Sequence, residues 1–146
     1  MKQQLFIILS LLFISCGKKE VKKVNIDPSF QAHVNEFVMN SERAGNRVRI
    51  DNLVMEFVDS LDQYNKTGNT LGVCYTSYRE ETDWMMNKKI YATPVIHIDR
   101  SDWNALGSAG RKQLAFHELG HCVLDRPHSS STLSIMYPYH NAVQAR

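Results

Sequence analysis

Cysteine is scarce in this chain of 146 residues: three in all, too few for a disulfide-dense scaffold. Neither sign of charge dominates, since 17 Lys and Arg stand against 15 Asp and Glu for a net charge of +2. No Arg/Lys cluster is interleaved with aromatics either, so no nucleic-acid partner is expected. Long hydrophobic runs are missing. The one apolar stretch, residues 5–14 with Ser10 inside it, is too short to span a bilayer as a stable helix. Internal repeats and low-complexity tracts are also lacking, which excludes solenoids and arrays. What remains is 43% hydrophobic and 22% charged, the balance of one small globular domain.

The short apolar stretch has a use of its own. It follows Met1-Lys2 and ends at Ser15-Cys16, the layout of a secretory signal. Phe13-Ile14-Ser15-Cys16 resembles a bacterial lipobox, and the resemblance implies that Cys16 is lipidated and becomes the mature N-terminus. The expected organisation is therefore a lipoprotein signal peptide over 1–16, a Lys-rich solvated tether over 17–27 and a folded domain over 28–146. Surface-exported lipoproteins carry acids directly after the Cys. Lys18 and Lys19 stand there instead, so the expected location is the bacterial cell envelope, lipid-anchored to a membrane and facing the periplasm.

In that oxidising compartment two thiols remain, Cys74 and Cys122. Spacing alone leaves open whether they pair or pack separately. Cys122 follows His121, but on a helix it points about 100° away from its neighbour, which argues against a metal role.

Asp27-Pro28-Ser29 reads as a helix start, and Phe30, Val34, Phe37, Val38 and Ser41 recur at helical spacing up to a stop at Gly45. Residues 48–58 read as an extended strand with a break near Asn52, the rival being a helix over 53–64. Residues 65–69 are a turn, 70–78 a strand and 80–89 a polar loop. The β-branched run around Val95, Ile96 and Ile98 makes 93–99 a strand. A short helix or loop carries Trp103, and a helix over 110–124 ends before Pro127.

That last helix contains "HELGH", His117 to His121. Positions i and i+4 share one helix face, so His117 and His121 can aim ring nitrogens at one Zn²⁺ at about 2.0–2.1 Å. Glu118 lies beside the metal rather than on it, placed to take a proton from water whose pKa zinc lowers to about 7. Leu119 packs inward, and Gly120 is small enough for a close neighbour.

A third histidine, His128, follows just beyond the helix breaker, and then comes "SIMYP", residues 134–138. Together these segments resemble the metzincin clan of zinc endopeptidases, and in wording the matrixins most. The resemblance covers 116–138. It implies an α+β, zincin-like fold: a twisted mixed sheet with an N-terminal helix and an active-site helix, followed by a Met-turn. It further implies zinc on His117, His121 and His128, Glu118 as general base, Met136 under the metal, and a peptide or protein substrate.

Two departures stand out. The clan's helix-ending Gly falls at position 124, where this chain has Leu124, and its third ligand falls at 127, where this chain has Pro127. His128 is one residue late. Asp125 is the rival third ligand, disfavoured because it stays at the helix end.

The other candidates have ordinary readings. His97 reads as an exposed or edge histidine, Trp84 and Trp103 as core or rim, and Asp99 with Asp102 as weak grounds for a structural Ca²⁺. The 93–99 strand is the expected substrate-binding edge. The resulting expectation is a lipid-anchored zinc metallopeptidase that hydrolyses peptide bonds. The alternative is a non-catalytic lipoprotein that keeps the zinc site for binding or structure, which leaves Glu118 without a purpose.

The anchor is open to a direct check. Cys16→Ser should release the protein from the membrane fraction of its host while leaving the domain folded. Undiminished membrane association of that variant contradicts lipidation at Cys16.

Overall fold

Parallel strands that follow one another in sequence need a crossover, and here helix α1 (Pro28–Arg43) supplies it between β1 (Val24–Ile26) and β2 (Leu53–Val58). The computed structural model describes residues 23–64 and 70–138. Cys16 and the signal segment lie outside them. The remaining elements are β3 (Gly72–Thr82), β4 (Lys88–Asp99), α2 (Arg100–Ala105) and α3 (Ser108–Leu124). The fold is α+β, with one four-stranded mixed sheet in the order β1-β2-β4-β3. β1, β2 and β4 are parallel, and β3 pairs antiparallel with β4. No helix among the described residues is long and apolar enough to cross a membrane.

Local chemistry accounts for α1. Asp27 accepts a hydrogen bond from the Ser29 amide at 2.9 Å, Pro28 occupies the first turn, and Gly45 leaves the helix at φ +83°. Its buried positions Phe30, Val34, Phe37 and Ser41 repeat every three or four residues and face the sheet. They meet Leu53 and Met55 of β2, Ile96 and Ile98 of β4, and Leu114 and Leu119 of α3. Phe37 packs edge-on against Phe116 with centroids 5.4 Å apart, and Trp103 packs on Phe30 at 4.9 Å. Trp103 is thus core, and Trp84 is surface.

Several expected boundaries move. Three residues assigned to the tether, Val24–Ile26, form β1, so the sheet starts before position 28. The strand expected over 48–58 begins only at Leu53, and no helix forms there. At Asn52 the side chain donates to the Ala92 carbonyl at 2.8 Å, which takes up that acceptor just before the strand begins. Residues 80–89 are not a loop: β3 and β4 continue through them as a hairpin whose turn is only 83–87. This arm carries polar residues on both faces because it projects beyond the helices. With neither face buried, no alternation marks it.

The substrate edge is also corrected. β4 is a central strand, flanked by β2 and β3, and the edge strand next to α3 is β3. His97, on β4, is consequently neither exposed nor at an edge: its side chain is 12% accessible. On the sheet face away from the helices it meets Glu56 Oε1 at 3.1 Å and the hydroxyls of Tyr64 and Tyr75 at 3.2 Å each. Burial pushes the Tyr75 hydroxyl up to about 12.

Cys74 and Cys122 are joined in a disulfide, Cα to Cα 5.6 Å, that ties β3 to α3. It closes a loop of 48 residues, which by chain entropy is worth about 4 kcal/mol. The double variant Cys74→Ser/Cys122→Ser should lose about 2–4 kcal/mol in urea unfolding under non-reducing conditions. An unchanged midpoint and slope contradict that role.

Candidate metal centre

Helix α3 turns His117 and His121 to the segment that follows it and Glu118 to β3, and the end of that helix determines where the chain goes next. Asp125 adopts the left-handed conformation, φ 50° and ψ 40°, one of two non-glycine residues with positive φ among those described. Asp is among the residues that tolerate this region. The Arg126 amide then bonds back to the Gly120 carbonyl at 3.0 Å, the closure that a left-handed residue produces at a helix end. The turn expected of a glycine at 124 is made at 125 instead, one residue late, and His128 is late by the same amount.

Three imidazoles converge. His117 Nε2 lies 3.1 Å from His121 Nε2 and 3.2 Å from His128 Nε2. The far nitrogens of the helical pair are committed: His117 Nδ1 is 2.7 Å from the Ile135 carbonyl, and His121 Nδ1 is 2.6 Å from the Arg126 carbonyl. A carbonyl only accepts, so each Nδ1 carries the proton and each Nε2 presents a lone pair. Lone pairs aimed at one another across about 3 Å repel unless a cation lies between them. A tetrahedral ion at about 2.0–2.1 Å spaces its ligand nitrogens about 3.4 Å apart, close to the separations seen. Histidines 117, 121 and 128 can therefore hold a metal ion. Asp125 is exposed at the helix end and is not one of the converging group. Burial, together with the nearby His121, lowers the pKa of His128, which favours the neutral, ligating form.

The segment after His128 forms a floor. Ser134 Oγ accepts from the Met136 amide at 3.1 Å, the Tyr137 amide returns to the Ser134 carbonyl at 3.0 Å, and the Met136 carbonyl accepts from the Ser129 amide at 2.8 Å. The turn so made presents Ile135 to His117 and buries Met136 against Gly120. A Cβ at 120 would lie 2.5 Å from the Met136 sulfur, so any larger residue there displaces the methionine side chain from this position.

Glu118 is 4% exposed, and its nearest wall is the β3 edge strand. A Cβ at Gly72 would sit 2.9 Å from both Cγ and Oε1 of Glu118. The sequence gives no hint of Gly72, because it lies 46 positions away and belongs to no motif. Burial pushes the Glu118 carboxyl up to about 8, so without a neighbouring cation it holds its proton at neutral pH.

No family model, curated protein or solved structure matches this chain.

Asp99 has a local task. It accepts from the Ser101 amide and hydroxyl and from the Asp102 amide at 2.6–3.1 Å, capping α2. The Ser101 hydroxyl keeps its carboxyl below the usual range. Those bonds give the Asp99 carboxylate a role in the fold, and the Asp102 carboxylate takes no part in them.

The raised Glu118 pKa has a consequence for stability. Below pH 4.5 folded and unfolded chains both hold this proton; above it the unfolded chain releases it first, so stability falls as pH rises through about 8. His33 and His128, with lowered values, contribute the opposite slope, but only below 6.5. Chelator-treated protein should therefore lose thermal stability between about pH 7 and 8, and Glu118→Gln should remove that loss. Parallel melting curves against pH for the two proteins contradict the assignment.

Proposed function

We propose that this chain is a zinc metallopeptidase of metzincin type, lipid-anchored through Cys16. The observation that carries the reading is the locking of two Nδ1 protons onto the Arg126 and Ile135 carbonyls, which leaves Nε2 lone pairs directed at one point beside a buried glutamate. An all-imidazole set suits zinc, with His117, His121 and His128 as its holders. Three protein ligands leave a coordination position open, as catalytic rather than structural zinc sites do. Bound zinc supplies a Lewis acid and lowers the pKa of water to about 7.

The protein groups have separable tasks. A dication beside Glu118 offsets its desolvation and favours the carboxylate, so the base ionises when the site is loaded. Glu118 takes a proton from the attacking water and delivers it to the leaving amine. The wall formed by Gly72 keeps bulk water from that carboxylate. An extended peptide is positioned by strand addition along the outer edge of β3, adjacent to the base. Met136, buried against Gly120 between the two helical ligands, is the apolar floor of the site.

Three variants test the reading, one by cleavage of a diverse peptide library with zinc-loaded protein and two by zinc titration. Glu118→Ala should retain about one zinc per chain and lose cleavage by about 10²–10⁴-fold. His128→Ala should weaken zinc by orders of magnitude in titrations against a chelator, and Asp125→Ala should not. Loss of metal in step with activity in Glu118→Ala makes that residue a ligand. A wild-type protein that binds zinc but cleaves no peptide returns the site to a binding role.

A further inference from the structure

The β3–β4 hairpin ends in a run of exposed apolar side chains. Trp84 is 86% exposed, Met86 81% and Met85 61%, and they are consecutive. Tyr78 and Ile90, 71% and 68% exposed, lie behind them on one face of the same arm. Adjacent apolar residues at such exposure are costly in water and mark a surface that is covered in use.

The tip is built rather than frayed. Asp83 Oδ1 accepts from the Met85 and Asn87 amides at 2.9 Å each, and the Asp83 amide donates to the Asn87 carbonyl at 3.0 Å. Met86 is held at φ 63°, a conformation unfavourable for a residue of its kind, and this completes the turn that projects the three side chains. Arg79–Glu81 and Lys88–Glu80 ion pairs neutralise the arm just behind it. Five functions of the fold described above make no use of this tip: core, sheet, cap, disulfide and metal centre all lie elsewhere.

Strand directions show what it faces. β1, β2 and β4 are parallel, so the chain enters the sheet at Val24 from the end at which β4 begins, and that end bears the hairpin tip. Val24 pairs with Leu53, and Val54 pairs with Val95, which puts Val24 level with Pro94. From there to Lys88 the arm projects about 20 Å beyond the level of Val24. Eight residue steps separate Cys16 from Val24, a reach of about 26–29 Å at most. The tether is long enough for the tip to touch the plane that holds Cys16, and short enough to keep it near. Gly72, which walls Glu118, pairs with Ile98 at the other end of β4, about 33 Å from Lys88.

We propose that the Trp84-Met85-Met86 tip inserts into the interfacial layer of the bilayer that holds the Cys16 lipid. This makes a second attachment point that stands the metal centre off the membrane, facing away from it. The inference rests on the lipid-anchor part of the reading above and not on peptidase activity. Trp at the headgroup level with apolar neighbours is a common interfacial anchor, and a charge-neutral arm does not depend on anionic lipid.

Tryptophan fluorescence tests it on the full-length lipidated protein in vesicles of phosphatidylethanolamine and phosphatidylglycerol, with and without bromine on the acyl chains. The chain has two tryptophans, and Trp103 is 4% exposed, so subtracting the Trp84→Phe spectrum isolates Trp84. The expected result is blue-shifted Trp84 emission that loses roughly half or more of its intensity to the brominated lipid. Membrane-bound protein whose Trp84 emits as in water and ignores the bromine overturns the insertion and leaves the anchor standing. A blue shift already present without vesicles, growing with protein concentration, assigns the tip to a second copy and also overturns it. Failure of the anchor is read separately, from the fractionation of Cys16→Ser. If that variant stays with the host membrane while Trp84 is quenched, the hairpin alone suffices to hold the membrane and the insertion stands.

Discussion

Two backbone carbonyls, of Arg126 and Ile135, hold the protons of His121 and His117, and the character of the site follows from them. An imidazole whose Nδ1 hydrogen is fixed has its Nε2 lone pair fixed in direction as well. Both carbonyls come from the stretch after α3, not from the helix. The helix supplies the spacing of the ligands, but their tautomer and aim come from a chain segment that must first turn back. The C-terminal turn at Asp125 and the bonded loop ending at Met136 are therefore as necessary to the centre as the histidines.

The delayed third histidine illustrates how a helix end propagates. A glycine one position earlier would turn the chain after a shorter helix; here Asp125 takes the left-handed conformation and the Gly120 carbonyl receives the Arg126 amide. Every later residue is displaced by one, and the His128 ring still arrives 3.2 Å from His117. Gly120 serves twice in this arrangement: its carbonyl closes the turn, and its missing side chain admits Met136. Across the site, the missing side chain of Gly72 admits Glu118. The disulfide between Cys74 and Cys122 joins the same two elements next to both residues, so strand and helix keep the spacing on which the buried carboxyl depends.

The molecule has two unlike ends along β4. At one, Gly72 and Ile98 wall the buried Glu118 carboxyl; at the other, a hairpin with both faces in solvent carries tryptophan and methionine at its turn. The parallel order of β1, β2 and β4 sets this polarity, because all three strands run from the hairpin side of the sheet towards the Gly72 side.

What was legible in the sequence was whatever is written locally. Helix α1, with Asp27 as its cap and Phe30, Val34 and Phe37 on one face, follows from caps and periodicity, as does α3 with His117 and His121 one turn apart. The hairpin arm was illegible, since alternation records burial and this arm has none. The position of β4 at the centre of the sheet was illegible too, because strand order is a matter of which chain segments meet, and the 93–99 run reads the same at an edge or inside. His97 looked like a surface histidine until β2 and β3 put Glu56 and Tyr75 beside it. Sequence by itself determined the ligand types, their helical spacing and the turn-forming residues, because these act over a few positions. Only the tertiary structure decided that Cys74 meets Cys122, that Gly72 walls Glu118 and that Ile135 orients His117. Each of those joins residues far apart in the chain, and it is packing that brings them together.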